Sequence, residues 1–129
     1  GWVKVQLFAL RAFLNKVPRT FSVHSSDRNF LQFLRKDPLQ TRTIHTSWVQ
    51  SLYDWQAHFE QSPPSATPTL LIQGEKDTVV DWQYNVQRIE EKFTALEQYR
   101  IKEANHHLVN EAKTIREQVF NRLLQYIKN

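Results

Sequence analysis

Three prolines within six residues, Pro63, Pro64 and Pro68, divide this 129-residue chain into two stretches of different character. Proline fixes φ and lacks an amide hydrogen, so no helix continues through residues 61–68 and the connection must be extended. Before it, apolar residues recur at helical intervals. After it, short β-like runs alternate with helical ones. The fold must therefore join a helical stretch, residues 1–62, to an alternating one, residues 69–129, through a proline-rich linker at 63–68.

The helical stretch reads as three segments. In residues 2–14 a broad stripe that includes Trp2, Leu7, Phe8, Phe13 and Leu14 is interrupted by Lys4, Gln6 and Arg11. Ser25-Ser26-Asp27 is a good capping cluster for a second helix bearing Phe30, Leu31, Phe33 and Leu34, which Asp37-Pro38 stops. Ile44, Trp48, Leu52, Trp55 and Phe59 then recur at steps of three or four residues, the period of a third helix.

Beyond the linker, Leu70-Leu71-Ile72 is a short continuous apolar run, the pattern of a strand buried on both faces. Val86, Ile89, Phe93 and Leu96 follow at helical spacing, Tyr99 and Ile101 alternate with polar neighbours as a second strand, and Ile115, Val119, Leu123 and Ile127 mark a last amphipathic helix. Strand, helix, strand, helix is the signature of a parallel α/β sheet. Two strands alone leave edges and faces uncovered, so the expectation is the last part of a larger α/β sheet.

Composition removes several functional classes. With only two glycines, Gly1 and Gly74, neither a phosphate-cradling loop nor a dinucleotide fingerprint can be built. The absence of cysteine excludes disulfides, thiolate zinc sites and cysteine nucleophiles, and slightly favours a reducing, cytoplasmic setting. A net charge of +4 is spread along the chain without the clustering that phosphate recognition uses, so nucleic acid is not an expected partner. No run approaches the ~18 apolar residues of a spanning helix.

Two residues stand where chemistry is expected. In open α/β sheets ligands sit beyond the carboxyl ends of the strands. Asp77 follows the first strand and His106 the second, so parallel pairing would bring an acid and an imidazole together. Such a pair suits a hydrolase: the imidazole moves a proton to and from an attacking hydroxyl, and the carboxylate fixes its tautomer. The plainer readings are a loop aspartate capping the next helix and a loop histidine. Neighbouring residues on an extended segment point oppositely, so His106 and His107 are not expected to share a metal, and neither metal nor cofactor is expected.

The run from Thr67 through Gly74-Glu75-Lys76-Asp77 to Val80 resembles the penultimate strand and acid turn of α/β-hydrolases. Asn105-His106-His107-Leu108-Val109-Asn110-Glu111 resembles the histidine loop of their monoacylglycerol lipase, lysophospholipase and serine-aminopeptidase-like branch. More weakly, Ser25-Ser26-Asp27, Lys36-Asp37-Pro38-Leu39 and the Trp48 helix look like that branch's helical cap. The resemblance implies Asp77 as the triad acid, His106 rather than His107 as the base, and lipid carboxylic esters as substrates. Family members begin with an oxyanion-hole loop and a Gly-x-Ser-x-Gly nucleophile elbow. None of the seven serines here is flanked in that way.

The expectation is thus the cap and C-terminal part of a serine hydrolase, inactive by itself, whose main partner is the N-terminal part that carries the nucleophile. A dehalogenase or epoxide hydrolase of the same fold, with an aspartate nucleophile, is the nearest enzymatic alternative. The alternative from another class is a non-catalytic module that self-associates through an exposed sheet edge. On the cap reading the aromatic stripes would line an acyl or alcohol pocket, and on the plainer one they are packing core. The first helix, with Lys4, Arg11, Lys16 and Arg19 beside its apolar stripe, would also suit peripheral contact with an anionic lipid surface.

Overall fold

The computed structural model describes residues 15–20 and 23–128. The helix expected over residues 2–14 lies outside these. In chain order the elements are β1 (Lys16–Pro18), α1 (Arg28–Lys36), β2 (Thr43–His45), α2 (Thr46–Gln61), β3 (Thr69–Gly74), α3 (Trp82–Lys92), β4 (Leu96–Ile101), a 3₁₀ turn (Leu108–Asn110) and α4 (Lys113–Lys128).

They belong to two compact units, one drawn from residues 1–21 and 39–62 and the other from residues 22–38 and 63–129. Composition places a single boundary at the proline stretch, whereas contacts group residues 22–38 with the sheet. The reason is local: the His24 carbonyl accepts the His107 amide at 2.8 Å, and Ser25 and Ser26 bond to the segment around Glu111.

In the first unit β1 and β2 pair antiparallel, with Val17 opposite Ile44. This ribbon replaces helix at two expected positions. Lys16 opens a strand and does not extend the basic face of a first helix, and Ile44 pairs in β2 two residues before α2 begins. Strands of three residues are too short to display a period of two. On α2, Trp48, Leu52 and Trp55 are exposed rather than buried in a core, and Trp55 stacks on Phe59 with ring centroids 5.5 Å apart.

The second unit is built on a parallel pair, β3 beside β4, in register from Thr69↔Leu96 to Gly74↔Ile101. Asp81 caps α3 by accepting the Tyr84 amide, and Val86 is buried beneath it. The helix stops at Lys92, short of the expected Leu96. Its end is captured from outside: Ser65 donates its amide to the Lys92 carbonyl at 2.7 Å and receives that of Thr94 at 2.9 Å. Ile101, Ala104, Ile115 and Val119 form the buried cluster, with Ile72, Tyr99 and Leu108 packed against it. Arg122 of α4 pairs with Glu97 and lies over the Tyr99 ring, fixing the helix on β4.

Two parts of this α/β unit are less buried than their sequence suggests. Leu70, Leu71 and Ile72 are each only half-buried, because β3 has β4 as its one paired neighbour among the described residues. On α4, Ile115 and Val119 face the cluster, but Leu123 and Ile127 join Phe120 and Leu124 on a second, exposed apolar face. Among the described residues no helix is long and apolar enough to cross a membrane.

Candidate active site

Parallel register sets the site. Gly74 and Ile101 are opposite one another at the last rung, so the chain leaves both strands at the same edge of the sheet. The two exits are then laced together: Glu75 donates its amide to the Ile101 carbonyl at 3.1 Å and Lys76 to that of Ala104 at 2.9 Å. Lys76 and Glu103 add an exposed ion pair, which contributes little by itself. Asp77 and His106 emerge from these laced turns.

Their side chains meet, with His106 Nδ1 2.8 Å from Asp77 Oδ2. The other carboxylate oxygen, Oδ1, accepts the Val79 amide at 2.8 Å and that of Val80 at 3.4 Å. Burial of Asp77 opposes ionisation. The His106 hydrogen bond, the two amides and the charge of the imidazole outweigh it and hold the carboxyl below its ordinary range. An ionised carboxylate can only accept, so Nδ1 must carry the proton and the neutral ring has Nε2 unprotonated. The His106 side chain is 37% exposed, against 4% for that of Asp77. A buried carboxylate thus orients an accessible imidazole.

The plain reading of Asp77 as a cap for the following helix fails, because Asp81 holds that position. The expectation for the two histidines also needs correction. Their rings do not diverge: the centroids are 5.4 Å apart and nearly perpendicular, because the segment bends into the 3₁₀ turn instead of running extended. The His107 ring lies edge-on to His24 at 5.5 Å and to Phe30 at 5.6 Å. Among the described residues no three metal-ligating side chains converge.

Gly74 is needed for space, not for an unusual backbone angle. Its φ is not positive, yet a Cβ there would lie 2.5 Å from the carbonyl oxygens of both Ala104 and Asn105. Both obstacles are backbone and cannot rotate away. Gly74→Ala is therefore expected to push the histidine turn from the acid turn and to destabilise the unit by about 1–3 kcal/mol, as overpacking does. Urea unfolding followed by circular dichroism would measure it, and a midpoint equal to wild type would show that the turns do not meet this closely.

Glu111 escaped chemical notice in the sequence, although it closes the histidine motif. It is fully buried, and its carboxylate accepts from Asn105 and Ser26. Ser25 and Ser26, read only as part of a helix cap, turn inward to this loop, while Asp27 alone caps α1 by accepting the Asn29 and Phe30 amides. A buried acid with donors far away in sequence leaves no periodic signal. The one available cue was its place five residues after His106.

Among curated proteins no sequence matches the chain significantly. The family model described as serine aminopeptidase, S33 matches residues 2–113, most of the chain and both turns of the site. With its parallel strands, interleaved helices and paired turns, the chain belongs to the serine aminopeptidase S33 family of α/β-hydrolases.

Proposed function

We propose that this chain supplies the acid and the base of a serine hydrolase that acts on carboxylic esters of lipids, as lysophospholipases and monoacylglycerol lipases do. The observation that carries the reading is the 2.8 Å contact of His106 Nδ1 with Asp77, which leaves Nε2 free to take a hydroxyl proton. Asp77 acts as the orienting acid and His106 as the general base.

The nucleophile comes from polypeptide outside residues 1–129. Among the described residues the hydroxyls of Ser25, Ser26, Ser51, Ser62 and Ser65 all donate to groups other than His106. The half-buried β3 and the apolar outer face of α4 suit docking of further sheet and helix.

Residues 1–129 alone are expected not to hydrolyse a short-chain p-nitrophenyl ester above background. The same chain joined to an N-terminal part with a Gly-x-Ser-x-Gly elbow is expected to do so, and to prefer monoacylglycerol over an aminoacyl p-nitroanilide. Turnover by residues 1–129 alone would sink the divided-triad reading. Preference for the anilide would sink the lipid assignment and leave the triad standing.

A further inference from the structure

The two oxygens of Glu111 serve two different segments. Oε1 accepts the Asn105 amide at 2.5 Å and the Asn105 side-chain Nδ2 at 2.9 Å, gripping the residue immediately before His106. Oε2 accepts the Ser26 amide at 2.6 Å and the Ser26 hydroxyl, with the Ser25 hydroxyl at 3.5 Å. Those serines lie 85 residues or more away in sequence. Around this carboxylate the clasp is completed by Ser25 Oγ, which donates to the Asn110 carbonyl at 2.7 Å, and by the His107 amide, which donates to the His24 carbonyl at 2.8 Å. The loop holding His106 is thus tied on one side to Asp77 and on the other to residues 24–26.

The arrangement differs from that of a general base. Glu111 is fully buried, surrounded by donors, and bonded to neither imidazole nitrogen of His106. We propose that Glu111 is a positioning residue for His106: by binding Asn105 and Ser26 through opposite oxygens it fixes the histidine loop so that Nδ1 stays on Asp77 and Nε2 stays presented. This inference rests on the reading of His106 as the base, but the geometry it concerns exists in the chain without a nucleophile. Its test therefore needs no turnover.

Glutamine is the informative replacement. Both oxygens of Glu111 face donors only, so a carboxamide in either orientation keeps one acceptor and turns its amide group on the N–H donors of the other segment. In long-range proton–nitrogen NMR spectra of the 129-residue chain, wild-type His106 is expected to be a single Nδ1–H tautomer with a downfield, hydrogen-bonded Nδ1 proton. Glu111→Gln is expected to lose that proton signal and mix the His106 tautomers. Ser26→Ala, which removes one hydroxyl donor, is expected to shift and broaden the same signal without changing the circular dichroism spectrum.

Asp27→Ala loosens the start of α1 in the same segment without touching Glu111, and is expected to leave the His106 signal in place. A wild-type Nδ1–H signal in folded Glu111→Gln would overturn the proposal. Should Glu111→Gln fail to fold, an unshifted signal in Ser26→Ala, or an equal shift in Asp27→Ala, would overturn it. If wild-type His106 instead carries its proton on Nε2, the acid–base reading itself fails, an outcome distinct from a failure of Glu111 alone.

Discussion

On the proposed function, His106→Ala in the hydrolase completed by its nucleophile is expected to lower kcat by about 10⁴–10⁶-fold, the scale on which removal of a triad histidine acts. His107→Ala is expected to cost less than about tenfold, because its ring packs on His24 and Phe30 whereas His106 holds the bond to Asp77. Asp77→Asn belongs with the first: a carboxamide can donate to Nδ1, favouring the tautomer that puts the proton on Nε2, a change worth about 10⁴-fold in a serine-protease triad. Monoacylglycerol hydrolysis would measure all three. Equal losses in the two histidine variants would remove the distinction on which the site is built.

The choice of His106 over His107 was readable only from the resemblance of the histidine loop to its family. The meeting of the acid and histidine turns was readable because parallel-sheet topology converts sequence position into spatial position. Leu70-Leu71-Ile72 and the Tyr99–Ile101 alternation mark two strands with a helix between, and residues just beyond two such strands emerge at one edge. Asp77 and His106 needed no further information to be brought together. Gly74 was legible as part of a turn, but its physical reason, the approach of two backbone carbonyls, depends on a contact across the sheet.

Other features were hidden because tertiary contacts decide them. Phe93 and Leu96 continue the helical period of α3, yet pairing of Ser65 with Phe93 ends the helix and frees Leu96 to begin β4. Periodicity places Trp48, Leu52 and Trp55 on one face of α2 correctly, but a stripe reports only which residues share a face. It does not say whether that face is covered. Glu111 was hidden for a third reason: its donors on Ser25 and Ser26 come from a segment that composition assigns to the helical stretch and contacts assign to the sheet.

Glu111→Ala is expected to cost the second unit about 2–4 kcal/mol, because the Ser26 and Asn105 amides lose their acceptor and buried donors are expensive to leave unmade. The cost stays at the lower end of what two such donors could sum to, since Ser26 is exposed and Asn105 half-buried, so water recovers part of the loss. The same carboxylate makes wild-type stability depend on pH. Burial opposes its ionisation, but the Ser26 and Asn105 hydrogen bonds prevail and hold its pKa below the ordinary value, as the bonds to His106 and the Val79 and Val80 amides do for Asp77. A carboxyl whose folded pKa is depressed contributes stability that is fully present above its unfolded value, about 4.3 for glutamate and 3.9 for aspartate. The contribution is lost as pH falls from there through the folded pKa. The urea midpoint of the wild type should therefore be insensitive to these two groups near neutrality and decline below about pH 4.3. In Glu111→Ala the midpoint should already be low at pH 7, and its acid decline shallower, because of these two carboxyls Asp77 alone remains. Parallel acid limbs in the two proteins would mean that the Glu111 carboxylate is not held ionised by Ser26 and Asn105.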